Sequence, residues 1–379
     1  MHDQWMPEKL KVGDILLTSE APLGEVAYIQ ENSNYCLGQR LFALRADPRK
    51  LESRFLYYLL RSHVVQHRLR ARATGTTAQG IRQSELVKVQ VEIPTLSEQR
   101  IIAHILGTLD DKTELNRRMN ETLEAMARAI FKSWFVDFDP VRAKAAGRQP
   151  FGMDAETAAL LPSSFESSPL GKIPKGWKVN EIRERTKDIQ YGLTMSASTD
   201  EVGPRFLRIT DIQGGRVSWS QVPFCPVTPA EHEKYRIVHG DIFVARTGAS
   251  TGENIYISEA PDAVFASYLV RLQFANLSLA RVVGEFMRSP AYFDHVAGSI
   301  GGSAQPNASA QTLACALFAF PPNAVATQYA RLVEPLDQRR VLNSQENETL
   351  VSLRDALLPK LISGEIRIKD AEKIVGEKV

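Results

Sequence analysis

Apolar residues recur at alternating spacings of three and four in two long stretches of the chain. The first stretch starts after Pro94 and continues to about Phe135, and its recurring positions are Ile102, Ile105, Leu109, Lys112, Asn116, Met119, Leu123, Met126 and Ile130. The recurring positions of the second stretch are Tyr329, Leu332, Leu336, Arg339, Asn343, Glu346, Leu350, Leu353 and Leu357. This spacing is typical of a coiled-coil seam and predicts two long helices.

The two predicted seams match in length, period and polar interruptions. An exposed apolar stripe needs a partner, so the match predicts that the two helices pair with each other. Because the copies are joined head to tail, an antiparallel coiled coil is the simplest closure. Asn116 and Asn343 would then help to fix its register. The alternative is that each helix packs on its own domain. Pro335 lies inside the second helix and is expected to kink or restart it.

The segments before the helices alternate short β-branched and aromatic runs with turn residues. In the second half of the chain, residues 241–245, 254–257 and 269–272 have the composition of strands, and residues 279–288 have that of a helix. An α+β domain is therefore expected before each long helix.

The chain contains an internal repeat. Gly-Asp-Ile at 13–15 returns at 240–242, an offset of 240 − 13 = 227 positions, and Asn-Glu-Thr-Leu at 120–123 returns at 347–350 with the same offset. Several matches at one offset indicate a tandem duplication with pseudo-twofold symmetry. The counterpart of the segment starting at Ile173 would precede Met1, so we expect the first copy to be truncated at its N-terminus. Residues 139–172, rich in Pro, Gly, Ser and Ala, are expected to form a surface linker between the copies.

The composition excludes several function classes. Lys plus Arg number 46 against 44 Asp plus Glu, so the chain is not a bulk polycation. It has no glycine-rich phosphate loop ending in Lys, no Asn/Asp-Pro-Pro-aromatic methyltransferase motif and no Glu-x-Lys nuclease tripeptide. We therefore predict no catalytic residue and no metal site. Three separated cysteines and short apolar runs favour a cytoplasmic protein without a membrane span.

Local charge and loop composition point to nucleic acid. Six arginines and no acidic residue lie between 54 and 82, which suits a phosphate backbone or else a solvated helix face. In the second copy, Arg246-Thr247-Gly248 follows a predicted strand, and Gln305 and Asn307 lie in a glycine-rich loop. An arginine at a strand end suits contact with guanine or phosphate, and Gln and Asn can make bidentate contacts with adenine, although an ordinary tight turn would also explain the glycines.

Several segments in this order resemble the specificity subunits of type I restriction-modification enzymes. They are IPKGW at 173–177, GDIFVARTGASTG at 240–252, GSAQPN at 302–307, SEQRIIAHILGTLD at 97–110, FKSWFVDFDPVRAK at 131–144 and LLPKLISGEI at 357–366. The resemblance implies two target recognition domains, the first N-terminally truncated, that each bind half of a split double-stranded DNA site and are separated by the two helices. The implied divisions are a partial first recognition domain (1–94), the first spacer helix (95–138), the linker (139–172), the second recognition domain (173–321), and the second spacer helix with the C-terminal tail (322–379).

The resemblance also implies partners and contact residues. Two modification subunits would carry S-adenosylmethionine and methylate adenine, and restriction subunits would use ATP and Mg, while this chain would bind no cofactor itself. The expected DNA contacts are Tyr191, Arg205, Arg208, Arg246, Thr247, Gln305 and Asn307 in the second copy, and Ser19, Gln79 and Arg82 in the first. The competing hypothesis is a coiled-coil scaffold that binds no nucleic acid.

Overall fold

The computed structural model describes residues 9–32, 34–75, 79–299 and 307–376. Its strands are β1 (Ile15–Thr18), β2 (Val26–Tyr28), β3 (Leu41–Leu44), β4 (Phe165–Ser168), β5 (Gly171–Pro174), β6 (Lys178–Glu181), β7 (Asp188–Tyr191), β8 (Arg205–Leu207), β9 (Ile242–Ala245), β10 (Asn254–Tyr256), β11 (Ala263–Phe265), β12 (Leu269–Gln273) and β13 (Leu317–Phe320). Its α-helices are α1 (Ser53–Arg61), α2 (His63–Ala71), α3 (Gln83–Leu86), α4 (Leu96–Phe131), α5 (Asp139–Ala145), α6 (Ala155–Ala159), α7 (Pro229–Tyr235), α8 (Leu277–Met287), α9 (Pro290–Ser299), α10 (Ala310–Ala314), α11 (Asn323–Ser363) and α12 (Ile368–Gly376). The chain forms two compact units, the first comprising Met1–Arg118 and Asn343–Val379 and the second Met119–Leu342.

The first unit contains a three-stranded antiparallel sheet in the order β2-β1-β3. Alternation along β1 places Ile15 and Leu17 on its buried face. Both residues share one core with Phe55 of α1 and with Leu106 of α4. The α+β domain and the long helix of this unit therefore fold around common apolar contacts.

The second unit contains a four-stranded sheet in the order β10-β9-β12-β7. All four residues of its inner strand β9 are buried, which explains why that segment is almost continuously apolar. Strand β13 pairs with β6, and β11 pairs in parallel with β8. The strands predicted at 241–245, 254–257 and 269–272 are confirmed as β9, β10 and β12, and the helix predicted at 279–288 is confirmed as α8.

Residues 139–172 contain regular structure instead of an irregular surface linker. Helices α5 and α6 and strand β4 lie in this segment. Val141, Met153 and Leu161 are buried in the core of the second unit. The prediction of a surface linker was wrong because these three side chains pack onto that core, although Phe151 and Leu170 of the same segment are exposed.

The repeat found in the sequence is present in the structure. Strand β1 corresponds to β9 at the offset of 227, and the helices α2, α3 and α4 begin at the positions equivalent to the starts of α9, α10 and α11. The turns before β1 and β9 are also the same, since Gly13 has a φ of 92° and Gly240 a φ of 90°. Such a left-handed conformation favours glycine, which accounts for the repeated Gly-Asp-Ile.

The two long helices have 36 and 41 residues. Helix α4 begins with a capping pair, in which Thr95 accepts from the Glu98 amide while the Glu98 carboxylate accepts from Thr95. It ends at Phe131 and passes into a π-helical turn, Lys132–Val136. Helix α11 is unbroken through Pro335, so the expected restart is absent. Pro335 and Arg331, whose carbonyl would have accepted the missing bond, are both exposed, and water can satisfy that carbonyl.

The helices are antiparallel within each unit. In the first unit, Asn116 Nδ2 donates to Glu346 Oε2 (2.7 Å) and to Asn347 Oδ1 (3.0 Å), and Arg354 donates to Asp110 (2.7 Å). Residue numbers thus fall along one helix as they rise along the other, as in an antiparallel pair.

The second unit shows the same direction of pairing. Asn120 Nδ2 donates to the Arg340 carbonyl (3.3 Å), and the Phe131 ring contacts the Tyr329 ring with their centroids 6.3 Å apart. The bond between Asn120 and Arg340 has a counterpart in the first unit, where Asn347 Nδ2 donates to the Thr113 carbonyl (3.3 Å). Asn347 lies 227 positions after Asn120, and Thr113 lies 227 positions before Arg340.

Most predicted seam positions are buried or half-buried. The buried ones are Ile102, Leu109, Asn116, Asn343, Leu350 and Leu357, and the half-buried ones are Leu123, Ile130 and Leu336. Met126 is 47% exposed, whereas Glu124, Ala127 and Phe131 are buried. The buried stripe therefore moves one position along α4, as expected when a helix with ~3.6 residues per turn departs from a 3.5-residue repeat.

Candidate nucleic-acid interface

In the second copy, main-chain bonds join the end of β9 to the loop that precedes α10. Thr247 forms an antiparallel bridge with Asn307. The Ala308 amide donates to the Arg246 carbonyl (2.8 Å), and the Arg246 amide donates to the Tyr268 carbonyl (3.0 Å). We call residues 246–247 together with 307–308 the second junction.

The second junction brings four of the predicted DNA contacts together. The Arg246 guanidinium lies over the Tyr191 ring, 4.8 Å from its centroid, and Arg246 Nη2 donates to Asn307 Oδ1 (3.2 Å). Thr247 supplies the bridge to Asn307, and Tyr191 Oη accepts a bond from the Ala310 amide (2.9 Å) at the start of α10. Tyr191 is 42% exposed, so this cluster of cation, ring and amide faces solvent. Gln305 lies outside the described residues.

The first copy contains an equivalent junction. Glu20 forms an antiparallel bridge with Gly80, and these positions correspond to Thr247 and Asn307 at the offset of 227. The Ile81 amide donates to the Ser19 carbonyl (2.9 Å), and the Ser19 amide donates to the Arg40 carbonyl (2.8 Å). We call residues 19–20 together with 80–81 the first junction.

The side chains of the first junction differ from those of the second. Glu20 pairs with Arg40 at 2.9 Å, and both side chains are largely exposed. An added Cβ at Gly80 would lie 3.1 Å from the Glu20 Cβ, so glycine permits the close approach of the two segments. The predicted contact Ser19 contributes its main chain to the junction, while the predicted contacts Gln79 and Arg82 are exposed beside it.

The other two predicted contacts of the second copy are held by bonds within the protein. Arg205 donates to the carbonyls of Ser220 (3.2 Å) and Val222 (2.6 Å), and its guanidinium lies 4.4 Å from the Phe224 ring centroid. Arg208 forms a bidentate pair with Asp211 (3.0 and 2.8 Å), which raises the pKa of Arg208. A DNA contact by either arginine remains a prediction and would have to share the guanidinium with these acceptors.

The arginines between 54 and 82 have varied surroundings. Arg54 binds Asp111, and Arg72 binds Glu85 (3.3 Å), although neither acid lies within the stretch. Arg68 donates to the Gln90 carbonyl (2.6 Å). Acidic partners from outside residues 54–82 therefore neutralise part of the positive charge that the sequence of this stretch indicates.

A buried aspartate supports each junction from the start of its strand. Asp14 accepts from the Lys11 amide and from Arg45, and Asp241 accepts from the Val238 amide and from Gln273. The hydrogen bond from Arg45 lowers the pKa of Asp14, whereas burial raises the pKa of Asp241. The directions differ because burial is the largest effect at Asp241, where it outweighs the bonds from Gln273 and Val238 and the charge of Arg271 at 3.6 Å, whereas the bond from Arg45 outweighs burial at Asp14.

Glu124 of α4 ties the recognition domain of the second unit to its helix. This carboxylate is 4% exposed and accepts from Arg128 (2.6 Å), Arg216 (2.9 Å) and Arg288, with Arg340 at 3.8 Å. Arg216 and Arg288 belong to the domain, and Arg340 belongs to α11. Burial alone would raise the pKa of Glu124, but Arg288 and Arg216 outweigh that effect and lower it to about 2.

Sequence reasoning missed Glu20, Arg40 and Glu124. The repeat offset alone could have indicated Glu20, since it is the counterpart of Thr247. Glu124 carried no such signal, because its arginine partners are up to 216 positions away in the sequence (340 − 124).

The chain is similar to known specificity subunits and to their DNA specificity domain. A family model described as the type I restriction modification DNA specificity domain matches residues 8–125. The chain is 24% identical to the MjaIX specificity subunit of Methanocaldococcus jannaschii, over 94% of this chain and 78% of that protein. It is 26% identical to the HindI specificity subunit of Haemophilus influenzae, over 94% of this chain and 87% of that protein.

A solved structure shows the same fold. The type I restriction-modification S subunit from M. genitalium superposes with a TM-score of 0.52 at 19% identity, covering 93% of this chain and 83% of that one. Among the described residues, none of the helices combines the length and the apolar character needed to cross a membrane.

Proposed function

The chain belongs to the family of type I restriction-modification specificity subunits, and on that premise we propose that it binds a two-part DNA site, one part at each junction. The observation that carries this proposal is the equivalence of the two junctions. The same main-chain bonds hold a strand end against a loop in both copies, at positions related by 227. Duplicated binding surfaces suit a site with two separate halves.

Exposed polar and aromatic groups at the junctions suit contacts with base edges. Arg246 with Asn307 offers donors in a fixed geometry, and Glu20 with Arg40 offers an acceptor and a donor. Long-range steering would come from local charge, since the net charge of the chain is only +2.

The chemistry of methylation and cleavage would belong to partner subunits. Two modification subunits carrying S-adenosylmethionine would bind the long helices, and restriction subunits would supply ATP-driven cleavage, so that this chain itself holds no cofactor. The paired helices offer matching apolar positions for two copies of a partner. Leu115 on α4 and Leu342 on α11 are equivalent at the repeat offset and are 55% and 56% exposed.

The first experiment measures DNA binding directly. Fluorescence anisotropy with random duplex DNA should give a binding constant whose logarithm falls linearly with the logarithm of salt concentration. A coiled-coil scaffold without DNA affinity would show no salt-sensitive signal, and that result would refute the proposal.

The second experiment tests the two-part site. The chain should be co-expressed with type I modification subunits in a host that lacks adenine methylation, and the host genome sequenced for methylated bases. We expect one split adenine motif that is absent when this chain is omitted. Methylation at a single undivided motif would show that only one junction binds DNA specifically.

A further inference from the structure

The two junctions differ in charge at equivalent places. Their main-chain bonds are the same, but Arg246 of the second junction corresponds to Ser19 of the first, and Thr247 corresponds to Glu20. The second junction therefore presents a cation, whereas the first presents a carboxylate paired with Arg40. Because the main-chain bonds are the same but the side chains differ, the second junction offers the donors of Arg246, whereas the first adds a strong acceptor, the Glu20 carboxylate, beside the donors of Arg40.

Arg246 is held in one orientation before any ligand binds. Its guanidinium lies on the Tyr191 ring, and Nη2 donates to Asn307. Its Nε is buried and has no hydrogen-bond partner among the described residues. A planar guanidinium fixed in this way loses little conformational entropy on binding, so it suits bidentate contact with a planar acceptor pair.

Guanine offers such an acceptor pair. Its N7 and O6 both accept hydrogen bonds in the major groove, and arginine is their commonest specific partner. Asn307 keeps its Nδ2 donors, since its Oδ1 accepts from Arg246. The Arg246 guanidinium and the Asn307 amide would therefore both donate hydrogen bonds to the acceptor atoms of guanine.

Glu20 has the opposite preference. A carboxylate only accepts hydrogen bonds, so it repels the acceptors of guanine and favours the amino group of cytosine. Its pairing with Arg40 at 2.9 Å orients the carboxylate while leaving it accessible, since 42% of the Glu20 side chain is exposed.

We infer that the second junction selects guanine through Arg246 and that the first junction selects cytosine through Glu20. Tyr191 acts as a positioning residue that holds the guanidinium. This inference rests on the proposed function, because it assumes that both junctions contact bases.

The test is selection from a random duplex DNA library with the full chain, followed by sequencing of the bound DNA. The wild type should enrich a split motif. Arg246→Ala should lower the preference for one guanine in one half by about 5- to 150-fold and leave the other half unchanged. Arg246→Lys keeps the charge and should restore general affinity but only part of that preference. Glu20→Gln should change one cytosine in the other half only.

The unchanged half in each variant shows that the other unit is folded, and a circular dichroism spectrum and Tm equal to those of the wild type show that the substituted unit is folded as well. Arg100→Ala, at an exposed arginine of α4, is the matched control and should alter neither half. A different result would be that Arg246→Ala weakens binding to all sequences equally and reduces the slope of log affinity against log salt by about one phosphate contact. Arg246 would then contact the DNA backbone, so the inference would be wrong while the proposed function would stand. If the wild type itself enriches no sequence, the proposed function fails, and the inference fails with it.

Discussion

Removing the charge of Glu124 should destabilise the second unit strongly at neutral pH. In Glu124→Gln, the four surrounding arginines lose the one carboxylate that they share. The fall in the pKa of Glu124 from 4.5 to about 2 corresponds to ~3 kcal/mol of stabilisation by the folded environment at pH 7. We therefore expect the free energy of unfolding to fall by about 3 kcal/mol.

The pH dependence follows from the direction of that change. Because the folded pKa lies below the unfolded one, the stabilisation is complete above pH 4.5 and is lost as the pH falls towards 2. The difference between wild type and Glu124→Gln should therefore shrink to about 1.5 kcal/mol at pH 3. Urea titration at both pH values measures it, with the fluorescence of Trp134 and Trp177 reporting the second unit, in whose core they are buried, and far-UV circular dichroism reporting both units.

Glu114→Gln is the matched control for this experiment. Arg117 and Arg118 also lower the pKa of Glu114 to about 2, but this carboxylate lies on the helix surface, where solvent screens the pairs. Its substitution should cost only about 0.5 kcal/mol. Equal losses in the two variants, or a loss in Glu124→Gln that does not depend on pH, would refute the reasoning.

Three further predictions use residues related by the repeat or by the helix pair. Arg281→Ala should lower the free energy of unfolding by about 3 to 5 kcal/mol because it leaves the buried Glu285 carboxylate without its partner. The equivalent Arg54→Ala should lower it by only about 1 kcal/mol because its partner, Asp111, is exposed, and urea titration of both variants checks the ranking. At pH 7, Asp14→Asn should lower the free energy of unfolding by about 2 kcal/mol because it removes the charged bond from Arg45, and a thermal melt with an unchanged Tm would contradict this prediction. Asn116→Leu should raise stability by about 1 to 3 kcal/mol because the buried Asn116 Oδ1 has no partner among the described residues, and a lower Tm would show that the amide stabilises the pair.

The long helices were predictable from local heptad spacing, and the repeat was predictable by comparing the sequence with itself. The matching heptad patterns indicated that α4 and α11 pair, the head-to-tail order of the copies indicated the antiparallel direction, and the offset of 227 indicated the equivalence of β1 and β9. The shift of the buried stripe to Glu124 and Ala127 was not predictable in the same way. It depends on helix geometry and on the domain packed there, which no short window of sequence contains.

The site was predictable only in part. Arg246 and Asn307 were recognised as candidates from their loop composition, and the structure joins them to Tyr191, which is 116 positions before Asn307. For Arg208, the sequence did not reveal that Asp211 holds its guanidinium. Side-chain partners of this kind decide whether an arginine is available to a ligand, and they depend on tertiary packing instead of residue type.

The two junctions share their main-chain bonds and differ in their side-chain bonds, which indicates how such a chain can acquire new specificity. Every bond that the two junctions have in common joins main-chain atoms, as in the pair formed by Ile81 with Ser19 and its counterpart formed by Ala308 with Arg246. Such bonds are independent of side-chain identity, so a substitution at position 19 or 246 changes the chemistry offered to a ligand without removing the frame that presents it. Because each junction lies in a different unit, a change in one half of the site should leave the other half intact.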